Sequence, residues 1–269
     1  MQNLEIKYAQ LLENLQKLKK VLIAFSGGVD STFLLYAAKK ALGKNALAVT
    51  ACSPLIPQRD VRESADFGRQ LGVEQIEFAF NPLAVPEFAE NQPHRCYICK
   101  KNLFTSFLHL AEENGAVLCE GSNLDDLHDY RPGLKALAEL KVHSPLREEQ
   151  LTKAEIRCLS KKFALPTWDK PSFACLASRF AYGEKITIEK LKAVDRAEQL
   201  LFTLGFKQFR VRVHGELARI EVLPEHLALA ATVPIRREIY CKFQEYGFRY
   251  VTLDLLGYRT GSMNEILKQ

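Results

Sequence analysis

The sequence lacks any hydrophobic run long enough to cross a membrane. No apolar stretch approaches the roughly 20 residues that a spanning helix needs, and residues 3–20 form an amphipathic pattern instead of the apolar core of a signal peptide. No internal repeat or low-complexity tract is present. These absences predict a cytoplasmic protein that does not act at a membrane.

Two common nucleotide-binding motifs are also missing. The chain contains no Gly-x4-Gly-Lys-Ser/Thr, which excludes the usual triphosphate loop with its own lysine. No Gly-x-Gly-x-x-Gly follows a predicted strand, so a dinucleotide-binding Rossmann site is not supported.

The composition is that of a globular enzyme with one large or two ordinary domains. The 269 residues are 47% hydrophobic and 26% charged. A net charge of +5 suits a polyanionic small molecule but is too small to indicate a nucleic-acid partner. Because the number of cysteines is odd, seven, and no export signal is present, metal binding or catalysis is a better explanation for them than a disulfide framework.

A strand–turn–helix segment at residues 21–32 carries the clearest chemical signal. An apolar run at 21–25 predicts a strand buried on both faces, and the following Ser-Gly-Gly-Val-Asp-Ser opens a helix. Glycines allow backbone N–H groups to close on an anion at the positive end of that helix. The predicted phosphate-binding residues are Ser26, Gly27, Gly28, Asp30, Ser31 and Thr32.

Strands alternate with helices over the first part of the chain, which predicts an α/β fold with a doubly wound, mainly parallel, Rossmann-like sheet. Further strands are expected at 46–52, 75–80 and from 117, and the strand at 75–80 is expected nearer an edge. A helix is expected to begin after Thr152, because Glu155 follows three residues on in a capping-box pattern. Residues 1–182 are predicted to form this domain. Residues 183–269 are predicted to form a smaller α+β domain with an open antiparallel sheet.

Acidic residues follow the strand that begins at residue 117. Asp125 or Asp126, together with Asp30, could hold Mg²⁺, which prefers carboxylate and phosphate oxygens. A solvated turn is the alternative explanation for Asp125 and Asp126.

Three cysteines stand in unusual surroundings. Cys96 and Cys99 lie three residues apart at the start of a predicted helix, which fits half a zinc site, a redox pair, part of an iron–sulfur site, or two incidental thiols. Cys175 lies four residues before Arg179 and downstream of Lys170, a cationic surrounding that favours the reactive thiolate. A buried, unreactive thiol is the alternative for Cys175.

A basic stripe is predicted on one strand of the C-terminal part. Alternation places Arg210, Arg212 and His214 on the same face. This stripe could bind phosphate or carboxylate groups through the guanidinium forks, or it could be a solvated sheet face.

Six stretches together resemble the LarE family, which belongs to the PP-loop (N-type) ATP pyrophosphatases. These stretches are residues 26–31, 95–100, 129–133, 174–179, 210–212 and 256–264. The resemblance covers nearly the whole chain. It implies an ATP-dependent sulfur transferase that adenylates a carboxylate of a pyridinium biscarboxylate mononucleotide with Mg-ATP. Sulfur then replaces AMP, and the thiocarboxylate contributes to the nickel-pincer nucleotide.

The resemblance also implies roles for individual residues. Gly121 would lie by the nucleotide, and Ser178, Arg179, Arg210 and Arg212 would hold the substrate. Cys96, Cys99 and Cys175 match the family type that holds a [4Fe–4S] cluster, whose unique iron can carry an extra sulfide. In the other type a single cysteine, here Cys175, gives up its own sulfur. The C-terminal domain would bind substrate or form a homo-oligomer, and the sulfur donor is not predicted.

Two other classes of protein are alternatives to a LarE-type sulfur transferase. One is a different PP-loop adenylating enzyme, either a tRNA thiolase or an amide-forming ligase, although the sequence shows no glutaminase domain to supply ammonia. The other is a non-catalytic sensor that binds ATP or a cluster and turns over no carboxylate substrate.

Overall fold

The computed structural model describes residues 2–128, 132–171, 174–259 and 262–263. Spatial contacts divide the chain into two compact units. The first consists of Met1–Ser53, Arg59–Phe80 and His94–Phe173, and the second of Pro54–Gln58, Asn81–Pro93 and Ala174–Gln269. The domain boundary at residues 182/183 stays a prediction, and its place differs from this division. Parts of two predicted motifs, residues 129–131 and residues 260, 261 and 264, lie outside the described residues.

The strands and helices of the described chain are as follows. The strands are β1 (Val21–Ala24), β2 (Ala46–Cys52), β3 (Glu74–Ala79), β4 (Val117–Cys119), β5 (Phe209–His214), β6 (Leu217–Val222) and β7 (Tyr250–Leu253). The helices are α1 (Gln2–Lys17), α2 (Val29–Leu42), α3 (Gln58–Leu71), α4 (Pro86–Ala89), α5 (Arg95–Glu113), α6 (Pro132–Glu139), α7 (Pro145–Glu148), α8 (Lys153–Lys162), α9 (Ile188–Thr203), α10 (Leu227–Ala231) and α11 (Val233–Glu245). None of these helices is both long and apolar enough to span a bilayer.

The first unit contains a four-stranded sheet with the order β3-β2-β1-β4, in which every neighbouring pair is parallel. Parallel strands need crossover connections, and α2 and α3 provide them between β1, β2 and β3. This confirms the predicted parallel α/β sheet, with β3 at an edge. The carboxyl ends of β1 and β4 lie side by side, where ligands bind in such sheets.

The central strand of this sheet is fixed by burial. Val21, Leu22 and Ile23 of β1 are fully buried, as the uninterrupted apolar run predicts. Leu11 of α1 and Phe33 of α2 belong to the same core. Full burial of such side chains contributes about 1.5–3 kcal/mol each. The loop after β1 is therefore anchored by a well-packed strand and helix.

Helix α8 begins at the predicted capping box. The Glu155 backbone N–H donates to Thr152 Oγ1 at 3.2 Å, and Thr152 N–H donates to Glu155 Oε2 at 2.9 Å. This confirms the predicted start of the helix and fixes the position of Lys153 in its first turn.

The second unit contains a three-stranded sheet with the order β5-β6-β7. Strands β5 and β6 are antiparallel, but β6 and β7 are parallel. The prediction of an antiparallel sheet is therefore wrong for β7. The chain passes through α10 and α11 between β6 and β7, and such a crossover returns the chain in the same direction.

Candidate active site

The predicted phosphate loop joins β1 to α2 in a conformation that requires glycine. Gly27 has a φ of +70°, in the left-handed region that residues with a Cβ rarely adopt. A Cβ at this position would also lie 3.1 Å from the Cβ of Ser64 on α3. Gly28 is the N-cap of α2 and makes no side-chain cap. The N–H groups at the start of α2 are thus left for an anion.

The hydroxyl groups of the loop face one another. Ser26 Oγ lies 3.1 Å from Ser31 Oγ, which donates to the Gly28 carbonyl oxygen at 3.2 Å. Thr32 is fully buried, and its Oγ1 has no hydrogen-bond partner among the described residues. Buried hydroxyls normally have a partner, so an oxyanion at this turn would complete the arrangement. The binding of ATP phosphates by these residues stays a prediction.

Gly121 lies directly against the first turn of α2. A Cβ on Gly121 would be 3.0 Å from the Ser31 backbone nitrogen and 3.2 Å from the Ser31 Cα. Only glycine allows this close approach of two backbones. The structure therefore brings the end of β4 next to the phosphate loop, which is the surrounding expected for a nucleotide.

Asp30 is paired with Lys153, which lies far from it in the sequence. Lys153 Nζ donates to Asp30 Oδ2, and the other carboxylate oxygen, Oδ1, is buried. Burial raises the pKa of Asp30, although Lys153 acts in the opposite direction. The two residues are 123 positions apart, so no local pattern could have linked them.

The acidic residues after β4 stabilise the surrounding turns. Asp125 Oδ2 accepts from the Lys153 backbone N–H at 2.8 Å, and Asp126 Oδ2 accepts from the Asn123 N–H at 3.0 Å. Across the residues that the structure describes, no three His, Cys, Asp or Glu side chains are grouped to hold one metal ion. Mg²⁺ binding therefore stays a prediction for Asp30, Asp125 and Asp126.

Lys170 also reaches the phosphate loop. Its Nζ donates to Asp60 Oδ1 at 3.2 Å and to Glu63 Oε2 at 2.7 Å, and it lies 3.4 Å from the Gly27 carbonyl oxygen. In the sequence, Lys170 stands out only as a cation upstream of Cys175. Its 143-residue separation from Gly27 leaves no sequence signal for this contact.

Cys96 and Cys99 lie in the first turns of α5. Their spacing puts them on one side of the helix, and Cys96 is exposed while Cys99 is half-buried. The Tyr97 hydroxyl donates to Glu139 Oε2 at 2.8 Å, which ties this part of α5 to α6. The pair is thus presented on an anchored helix, as a shared ligand would require.

In the second unit, Cys175 belongs to a loop held by a buried arginine. Arg179 Nη1 donates to the Cys175 carbonyl oxygen at 3.0 Å and to Ser178 Oγ at 3.0 Å. Arg179 is fully buried and forms a two-point ion pair with Glu198, at 2.9 and 2.8 Å. Burial would lower the pKa of Arg179, but the Glu198 carboxylate raises it. Arg179 lowers the pKa of Glu198 in turn, against the effect of burial.

The two predicted arginines of β5 are buried as well. Arg212 donates to Glu221 Oε2 at 2.9 and 3.0 Å and to the Ser178 carbonyl oxygen at 3.0 Å. Arg210 lies over the Tyr258 ring, and burial together with the charge of Arg179 lowers the pKa of Arg210 to about 10. The alternative of a solvated sheet face is therefore wrong. His214, at the end of the strand, is exposed.

Comparison with known proteins supports a PP-loop enzyme. Residues 1–61 match the PP-loop domain family, which supports the use of ATP with Mg²⁺. The chain is 43% identical over 265 residues to an uncharacterised protein of Synechocystis, covering 98% of this chain and 99% of the relative. It is 30% identical over 256 residues to an uncharacterised protein of Methanocaldococcus jannaschii, covering 95% and 97%.

A third relative carries a functional name. The pyridinium-3,5-bisthiocarboxylic acid mononucleotide synthase of Lactiplantibacillus plantarum is 36% identical over 269 residues, which cover 99% of this chain and 97% of the relative. The chain belongs to the LarE family of ATP-dependent sulfur transferases. The predicted family and enzyme class are confirmed.

Proposed function

We propose that this protein adenylates a carboxylate of a pyridinium biscarboxylate mononucleotide and converts it to a thiocarboxylate. The observation that carries this proposal is the 36% identity, along 99% of the chain, to a synthase named for a pyridinium bisthiocarboxylate mononucleotide. The loop geometry around Gly27 and Gly121 supports the ATP-dependent half of the reaction.

In the first step, a substrate carboxylate oxygen attacks the α-phosphorus of ATP, and the bond to the β-phosphate oxygen breaks. The loop N–H groups and the hydroxyls of Ser26, Ser31 and Thr32 stabilise the charge that develops on the leaving pyrophosphate. Asp30 and Asp125 or Asp126 would hold Mg²⁺, which neutralises phosphate charge when bound.

The second unit would supply the substrate contacts and the sulfur loop. Arg179 and Arg212 both donate to carbonyl oxygens of the loop that contains Cys175 and Ser178. We therefore propose that these two arginines position the loop, and that Arg210 and Ser178 meet the substrate anion. The assignment of residues 183–269 to substrate binding, and a homo-oligomeric state, are parts of the same proposal.

Two sources of sulfur are proposed, and both involve Cys175. In the first, Cys96, Cys99 and Cys175 would hold a [4Fe–4S] cluster that carries an exogenous sulfide. The fit is partial: Cys96 and Cys99 share one side of α5, but no group of three potential metal ligands occurs among the described residues.

In the second route the sulfur belongs to Cys175 itself. Its thiolate attacks the acyl adenylate, the acyl–oxygen bond breaks and AMP leaves, which gives a thioester. Loss of the Cα proton of Cys175 then breaks its Cβ–S bond and releases the thiocarboxylate, with dehydroalanine at position 175. This elimination needs no oxidant or reductant.

The experiment is AMP release and product mass measured anaerobically with ATP, the nucleotide substrate and sulfide. Cys175→Ala should abolish the thiocarboxylate, whereas Cys158→Ala, which alters an exposed cysteine, should not. Bound iron that is lost in Cys96→Ala, Cys99→Ala and Cys175→Ala supports the cluster route. If no iron is bound and the mass at Cys175 falls by about 34 Da, the mass of the H₂S that the elimination removes, the result supports the route through the sulfur of Cys175 itself.

The rival classes predict different results in the same assay. AMP release that depends on tRNA, or on a carboxylate and ammonia, would contradict the proposal in favour of another PP-loop enzyme. Nucleotide binding without AMP release from any of these substrates would contradict it in favour of a sensor.

A further inference from the structure

We propose that Lys170 is the cation that binds the pyrophosphate part of ATP at the phosphate loop. This inference rests on the proposed function, because it assigns a residue to the leaving group of the adenylation step. Lys170 lies outside the loop motif and was not among the predicted ATP-binding residues.

The loop has no cationic side chain of its own. Residues 26–32 contain three hydroxyl side chains, two glycines, a valine and an aspartate, but no lysine or arginine. Pyrophosphate gains negative charge as it leaves, and preorganised positive charge at that point stabilises the transition state. A lysine from elsewhere in the chain can supply this charge as a compact ammonium group.

Lys170 is placed where such a cation is needed. Its Nζ lies 3.4 Å from the Gly27 carbonyl oxygen, so it is next to the peptide units that form the anion-binding turn. The side chain is only 16% exposed, which reduces the screening of its charge by water.

The other contacts of Lys170 hold its ammonium group in place and leave one N–H donor for a ligand. Asp60 and Glu63 lie three residues apart on α3, and each accepts from the ammonium group, at 3.2 and 2.7 Å. An ammonium group has three N–H donors, and the third points at the Gly27 carbonyl in a long contact. A phosphate oxygen can replace this long contact while the two carboxylates keep the ammonium in place.

The test is calorimetric titration of the full-length protein with inorganic pyrophosphate and, separately, with AMP. Lys170→Met should weaken pyrophosphate binding about tenfold or more, as expected for a lost hydrogen bond between charged groups, and should change AMP binding less than about twofold. Lys161→Met is the matched control, since Lys161 is exposed and contacts the Trp168 ring. It should change neither affinity.

A second measurement needs no substitution. In the wild-type protein, pyrophosphate but not AMP should protect Lys170 from acetylation, read by mass spectrometry, and Lys161 should react equally in all samples. If the Lys170→Met protein does not fold, the protection of Lys170 from acetylation in the wild-type protein tests the inference. Equal loss of AMP and pyrophosphate binding in a folded Lys170→Met protein, or no protection of Lys170, overturns the inference alone. A wild-type protein that binds no pyrophosphate overturns the proposed function with it.

Discussion

The substitution Glu198→Gln tests whether a buried ion pair holds the loop that carries Cys175. Arg179 is fully buried and Glu198 is 3% exposed, so the substitution leaves a guanidinium group inside the protein without its counter-charge. Removal of one partner of a buried ion pair costs about 3–5 kcal/mol. Glutamine keeps one carbonyl acceptor for Arg179 or for the Val211 N–H, so we expect the lower end, about 3 kcal/mol.

The loss in the free energy of unfolding is measured by urea denaturation, monitored by circular dichroism. The midpoint should fall while the slope m stays the same, because the surface exposed on unfolding does not change. Glu238→Gln, an exposed position on α11, is the matched control and should stay within about 0.5 kcal/mol of the wild type.

A second readout separates loop positioning from general stability. Arg179 donates to the carbonyl oxygens of Ala174 and Cys175, so a displaced guanidinium releases this loop. Under native conditions Cys175 should therefore react faster with iodoacetamide in Glu198→Gln than in Glu238→Gln. A loss below about 1 kcal/mol, with an unchanged alkylation rate, would refute the role given to this ion pair.

Three further predictions concern the first unit. Gly27→Ala should cost about 1–2 kcal/mol and weaken ATP binding, measured by denaturation and calorimetry, because the φ of +70° is unfavourable for alanine. Thr152→Ala removes the cap of α8 and should cost about 0.5–2 kcal/mol in the same denaturation assay. Burial, with smaller effects of Tyr36 and Glu5, raises the pKa of Tyr8 to about 12. The unfolded chain then loses this proton first, so stability should be intact below about pH 10 and fall as the pH rises toward 12. Tyr8→Phe should show a smaller fall over that range, and an identical fall would contradict the assignment.

The phosphate loop could be recognised in the sequence because all of its determinants are local. A buried strand, two glycines and the first turn of a helix lie within residues 21–32, and the φ of Gly27 follows from that turn. The capping box at Thr152 and Glu155 is equally local. Both were predicted from residues only a few positions apart.

The burial of the β5 arginines could not be predicted from their alternation alone. Alternation correctly placed Arg210 and Arg212 on one face of β5, but the same alternation is expected for a solvated face. The antiparallel register sets Arg210 opposite Glu221, which is itself fully buried and binds Arg212. The charge balance of this face therefore depends on its partner strand, which the pattern of β5 does not reveal.

By itself, the sequence determined the glycine turn after β1, the parallel sheet and the family, because these depend on neighbours along the chain or on similarity along its whole length. Only the tertiary structure decided which charged side chains lie next to the loop after β1 and next to Arg179. Lys153 and Lys170 approach the loop from positions more than a hundred residues away, and Glu198 neutralises Arg179 from α9. Electrostatic interactions act through space, so these partners are set by packing and not by distance along the chain.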